Sequence, residues 1–132
     1  MAAIWSNAPW IGRILSGIAI AFLLFDTLGK LIRVAPVVEG AVKLGYPEST
    51  VLTMGVLLLV GVVLYAVPRT SLLGAIYLTG FLGGAVATHF RVGSPLFSHI
   101  LFGVYVAVFV WGGLALRNPR LLSLLADARQ PL

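Results

Sequence analysis

Two histidines, His89 and His99, flank the turn Arg91-Val92-Gly93-Ser94-Pro95. A helical hairpin at that turn brings the two imidazoles to one level, with Thr88 and Arg91 beside them. In the first apolar run Asp26 and Lys30 stand at i,i+4, so one helix face presents both, and Arg33 follows at i+7. Imidazole, ammonium and guanidinium groups donate hydrogen bonds, carboxylates accept them, and histidine also moves protons near neutral pH. Asp26, Lys30, Thr88, His89, Arg91 and His99 together have the donors to hold, and to protonate, the carbonyl oxygens of a small ligand. An ionisable residue inside an apolar span marks a functional candidate, and Asp26 fits that description best. The same residues also admit a structural reading. Asp26 and Lys30 can be an ion pair that fixes register, and the histidines can bond backbone carbonyls.

The elements that must position these residues follow from composition. The 132 residues are 60% hydrophobic and 10% charged, and the mean hydropathy is +1.06. A soluble domain carries roughly a quarter charged residues, so this apolar surface needs lipid. Four apolar runs, 9–34, 48–67, 72–90 and 96–116, are separated by turn signals. About twenty residues of helix cross roughly 30 Å of hydrocarbon. The expected fold is all-α: one domain over 1–132, an integral membrane four-helix bundle. A short interfacial helix over 35–45 lies between the first and second spans, as a lid or strap.

Local signals set the expected boundaries. Pro9 stands near the start of the first helix, and Glu48 favours the N-terminal dipole of the second. Thr70 or Ser71 caps the third, and Ser94 caps the fourth with Pro95 at its first position. Arg117-Asn118-Pro119-Arg120 ends the fourth, leaving a polar-flanked tail. The first run lacks a strongly basic leader and a small-x-small cleavage pattern, so it reads as a retained helix.

Helix rise places the candidate residues. At 1.5 Å per residue, Asp26 lies roughly 24 Å above Trp10, His89 about 30 Å above Arg69, and His99 about 27 Å above Arg117. All three reach the boundary opposite the termini, forming one polar layer. Gly80, Gly84 and Thr88 form a small-xxx-small ridge suited to close helix packing. Gly103 lies on a stripe with His99, Val106, Val110 and Gly113.

Several chemistries are disfavoured. The formal charge of +5 is scattered over span ends, with no basic stripe for nucleic acid. Without cysteine there is no thiol relay and no thiolate metal site. The histidine spacing matches no metal signature, and Arg91 nearby opposes a cation. A haem between the histidines is less well supported than a quinone, whose carbonyls match the donors and whose tail suits apolar helices. With four spans, Arg13, Arg69, Arg117, Arg120 and Arg129 fall on the termini side. Lys30, Arg33, Lys43 and Arg91 fall opposite, which favours cytoplasmic termini. Trp5, Trp10 and Trp111 fit an interfacial belt on the termini side.

The stretch from Gly80 to His99, GFLGGAVATHFRVGSPLFSH, resembles the signature of bacterial DoxX-like membrane proteins. Leu44-Gly45-Tyr46-Pro47, Leu64-Tyr65-Ala66-Val67-Pro68-Arg69-Thr70 and the ending from Trp111 to Arg120 are similar to that pattern too. The resemblance covers nearly the whole chain. It implies a small four-helix protein of the bacterial cytoplasmic membrane. The family is named after the membrane subunit of a thiosulfate:quinone oxidoreductase, and some relatives are linked to membrane oxidoreductase complexes and oxidative-stress tolerance. A distant animal branch is associated with receptor assembly. The resemblance brings no catalytic set with it.

The resulting expectation is a small subunit that binds a quinone or lipid-like ligand in the polar layer. It supports a redox partner, is not an enzyme as an isolated chain, and is open to homo-oligomerisation. The alternative is a non-catalytic scaffold or chaperone acting through helix contacts such as the Gly80/Gly84 ridge. A transporter is a third reading, but one polar end gives no continuous polar path through a single protomer.

Overall fold

In the computed structural model, which describes residues 2–128, α1 (Ala2–Leu31), α2 (Ala35–Lys43), α3 (Thr50–Ala66), α4 (Ser71–Arg91), α5 (Phe102–Arg117) and α6 (Pro119–Asp127) follow one another. A π-helical turn, Leu96–Ile100, leads into α5. Side chains are described from Asn7 onwards, so the expected roles of Trp5 and Arg129 lie outside the described residues. Three segments are long and apolar enough to cross a bilayer: Asn7–Leu31, Ser71–Arg91 and Leu96–Arg117. The shorter apolar α3 spans about 25 Å at 1.5 Å per residue. The chain is a helical membrane protein. In lipid every backbone amide must find its partner inside the protein, and these apolar runs do so as helices.

The four long helices close a ring in which α1 packs on α3 and α5, and α4 packs on α3 and α5. The core fills the half of the ring nearer the termini, with Leu58, Tyr65, Leu78 and Val110 fully buried. Close approach there depends on missing side chains. A Cβ on Gly74 would lie 2.2 Å from the Tyr65 amide nitrogen, and one on Gly113 would lie 2.3 Å from Ser16 Oγ. Tyr65 donates to the Val110 carbonyl at 2.7 Å and accepts from Ser16 Oγ at 2.7 Å. This phenol therefore ties three helices together. Arg117 stacks over the Tyr65 ring at 5.8 Å.

The helix ends differ from several expectations. Pro9 lies inside α1, which begins at Ala2. Membrane helices tolerate an interior proline because neighbouring groups serve the freed backbone. At its other end α1 stops at Leu31 rather than at Val34. Arg33 adopts φ 56°, Val34 N–H bonds the Gly29 carbonyl at 3.2 Å, and Arg33 N–H bonds that of Lys30 at 3.3 Å. This is a Schellman ending, and it takes Arg33 off the Asp26–Lys30 face. Gly45 (φ 93°) and Gly93 (φ 72°) end α2 and α4 in the same way.

Glu48 precedes the first turn of α3, which starts at Thr50. Thr70 and Ser71 do not cap α4 with their side chains. Their hydroxyls donate to the Leu64 and Tyr65 carbonyls, both at 2.7 Å, satisfying the last turn of α3 instead. Ser94 also makes no cap, because Pro95 occupies that position before the π turn. The expected tail is helical: Asn118 Oδ1 accepts from the Arg120 amide at 3.1 Å and Pro119 takes the first helical position. Trp111 turns its indole N–H to Thr79 Oγ1 at 2.7 Å, an α4–α5 bond rather than a headgroup contact.

Candidate functional site

In the half of the ring away from the termini the helices part in pairs. Gly55 of α3 sits against Lys30 and Leu31 of α1, and Gly103 of α5 sits against Val86 and Leu82 of α4. Between these two pairs is a partly open cavity of about 630 Å³. That is within the roughly 300–1,000 Å³ of small-molecule sites. Its deep walls are apolar, including Leu23, Val51, Phe81, Leu82 and Val106. Pro36, Val37, Gly40 and Ala41 of α2 cover one side.

Asp26, Lys30, Thr88, His89 and His99 all line this cavity, so five of the six candidate residues share one volume. Lys30 Nζ donates to Asp26 Oδ1 as an ion pair within α1. Among the described residues these are the only full charges on the cavity wall when the histidines are neutral, so its polar end is charge-balanced. The His89 and His99 rings meet edge to face, with centroids 5.7 Å apart. His89 Nδ1 is 3.0 Å from Ser94 Oγ, and His99 Nδ1 is 2.7 Å from Ser98 Oγ. The Schellman ending of α4 sets the first contact, because Ser94 N–H bonds the His89 carbonyl at 3.0 Å. Ser98 and His99 are neighbours within the π turn. Ile100 and Leu101 amides bond carbonyls five residues back, at 3.1 and 2.9 Å. Such turns recur at functional sites. In both rings Nε2 is left without a hydrogen bond among the described residues.

Arg91 departs from the expectation. It does not line the cavity; its Nη2 donates to the Leu44 carbonyl at 2.8 Å and ties the end of α4 to the end of α2. The ridge reading of Gly80 and Gly84 is also corrected. A Cβ on either would meet nothing within 4 Å, and both line the cavity rather than pack on a helix. Gly103 does pack: its Cβ would lie 2.9 Å from Val86 Cγ2.

The sequence reading missed Tyr46, Ser94 as a histidine partner, and Ser98. Tyr46 lines the cavity and donates to Thr88 Oγ1 at 2.8 Å, while Thr88 donates to the Gly84 carbonyl at 2.8 Å. The adjacency of Ser98 to His99 was a usable signal for its contact, whereas nothing near Tyr46 in sequence points to Thr88. Among the described residues no cluster of three or more His, Cys, Asp or Glu is placed to hold a metal ion.

No curated protein matches the chain, and no solved structure does. The profile of the DoxX-like family matches residues 14–113, which covers α3, α4, the π turn, α2 and every residue of the cavity wall, and the chain therefore belongs to the DoxX-like family.

Proposed function

We propose that the cavity binds the head of a quinone, or a lipid-like ligand of similar polarity, and that the chain serves as a membrane subunit of a redox complex. The observation that carries this reading is that His89 and His99, whose Nε2 atoms have no hydrogen-bond partner among the described residues, line the polar end of an otherwise apolar cavity of about 630 Å³. Quinone carbonyls accept hydrogen bonds from such groups. The charge-balanced Asp26–Lys30 pair favours a neutral head over a phosphate or carboxylate. With no cysteine in the chain, electrons come from a partner rather than from a thiol relay. The quinone takes two electrons from that partner and two protons through the imidazoles, leaving as the hydroquinone. Asp26 holds Lys30 beside the polar end, and Thr88 is fixed there by Tyr46.

In this reading α3 crosses the membrane with the other three long helices, α2 lies at the interface, and the protein resides in a bacterial cytoplasmic membrane with cytoplasmic termini. The scaffold alternative gains nothing from Gly80 and Gly84, since both face the cavity. The test is titration of the protein in nanodiscs with a tail-free benzoquinone. Replacing both histidines by alanine is expected to weaken binding at least about tenfold, the equivalent of roughly 1.4 kcal/mol. Unchanged affinity in a folded double variant would overturn the assignment.

A further inference from the structure

The cavity has a weak wall. On the seam between α1 and α5 it is closed by Phe22 and Phe102, whose rings meet edge to face with centroids 5.0 Å apart. The two side chains keep 39% and 41% of their surface exposed, so each also faces outward. Directly outside lies a second, smaller hollow of about 160 Å³. Phe22, Phe102 and Val106 line both volumes. The outer hollow adds Ile18, Ala19, Tyr105 and Phe109, and the Tyr105 hydroxyl is turned away to the Phe97 carbonyl at 2.9 Å. The groove therefore offers a ligand only carbon.

Its direction is informative. Phe22 is one turn below Asp26 on α1, and Phe102 is about one turn below His99. From there the groove follows α1 down to Ile18 and α5 down to Phe109, roughly 6 and 10 Å toward the bilayer centre. The groove thus starts just beneath the polar layer and runs into the hydrocarbon region, along a face where Ile18 is half exposed and the bilayer is the surrounding solvent.

We infer that the Phe22–Phe102 pair is a lateral gate, and that the ligand of the central cavity is a neutral-headed amphiphile whose long apolar tail passes between α1 and α5 into this groove. This rests on the reading of the cavity as a ligand site and specifies the ligand's shape. A head that enters sideways keeps its tail in hydrocarbon throughout. A tail drawn through the polar end instead would meet Asp26, Lys30 and the histidines, where apolar chain has no favourable contact. The two phenylalanines can part by rotation about their side-chain bonds, because each already has free surface on the lipid side.

The experiment compares a tail-free benzoquinone with the same ring carrying a decyl chain, each titrated into protein in nanodiscs. Ile18→Trp fills the groove from an exposed position, and Val108→Trp adds the same bulk on α5 outside it, where the side chain is 64% exposed. The expected result is that Ile18→Trp weakens the decyl quinone about tenfold and leaves the tail-free ring unchanged, while Val108→Trp alters neither. Equal affinities for both ligands in wild type and Ile18→Trp would overturn the gate and leave the cavity reading standing. Equal weakening of both ligands by Ile18→Trp would also overturn the gate. Failure of both quinones to bind wild type would overturn the cavity reading together with the gate, and failure of the decyl quinone alone would overturn the gate.

Discussion

Each cavity imidazole has a serine hydroxyl at its Nδ1, and in the proposed function Nε2 serves the ligand. Ser94→Ala removes the hydroxyl beside His89 and frees the ring to turn. With the ring no longer held, tail-free quinone binding should weaken roughly fivefold, the equivalent of about 1 kcal/mol, and loss of the hydrogen bond should lower the melting temperature slightly. An unchanged titration would show that Ser94 does not orient the ring. At the packed end, Tyr65 is fully buried and its hydroxyl has two partners. Tyr65→Phe keeps the ring but leaves Ser16 Oγ and the Val110 carbonyl short of a partner. It should cost about 1–2 kcal/mol, read as a lower melting temperature in detergent. The pairing of Asp26 with Lys30 was legible in the sequence because the helix itself imposes i,i+4 neighbours. The roles of Arg91 and Tyr46 were not, because their partners Leu44 and Thr88 stand 47 and 42 residues away. Only the packing of α2 and α4 brings them together.

Among the elements, the same small residue does opposite work at the two ends of α4. Gly74→Ala would drive a Cβ into the Tyr65 backbone and force α3 and α4 apart. It should destabilise by about 1–3 kcal/mol. Gly84→Ala meets open space and should raise the melting temperature by a few degrees, given the gain of up to about 1 kcal/mol of Ala over Gly in a helix. Gly84→Leu should fold and abolish quinone binding by filling the cavity. Equal melting temperatures for the Gly74 and Gly84 alanine variants would contradict the paired-and-parted arrangement of the helices. Arg33 holds a left-handed conformation that costs a non-glycine residue about 1 kcal/mol. Arg33→Gly should therefore raise the melting temperature by an amount worth about 0.5–1 kcal/mol. The helix boundaries were legible where Pro and Gly punctuate the chain, as at Gly45-Tyr46-Pro47 and Val67-Pro68. The π turn was not, because its extra residue reflects amides bonding five residues back, which residue types do not encode. Helix α6 was legible and overlooked: Asn118-Pro119 is a cap followed by a first-turn proline.

For the whole molecule, the ring of four helices is tight near the termini and open at the far end. That shape puts a cavity next to the polar layer and a packed core beneath it. Apolar periodicity made the helices legible, but it could not show which small residues meet a neighbour and which meet space. The Gly80/Gly84 ridge looks identical to a packing ridge until the positions of α1 and α5 are known. If α3 crosses the membrane, residues 47 and 69 lie on opposite sides of it. Reporter fusions after Pro47 and after Arg69 should be active on the periplasmic and the cytoplasmic side respectively, and activity of both on one side would remove α3 from the spans. The central claim is that a quinone-like head sits in the cavity. Its most direct measurement is an ultraviolet redox difference spectrum of protein purified gently from its native membrane with native lipid retained. The account predicts a quinone signal stoichiometric with the chain, absent from Gly84→Leu purified in the same way. A featureless spectrum in the wild-type protein, unchanged after added quinone, would contradict it.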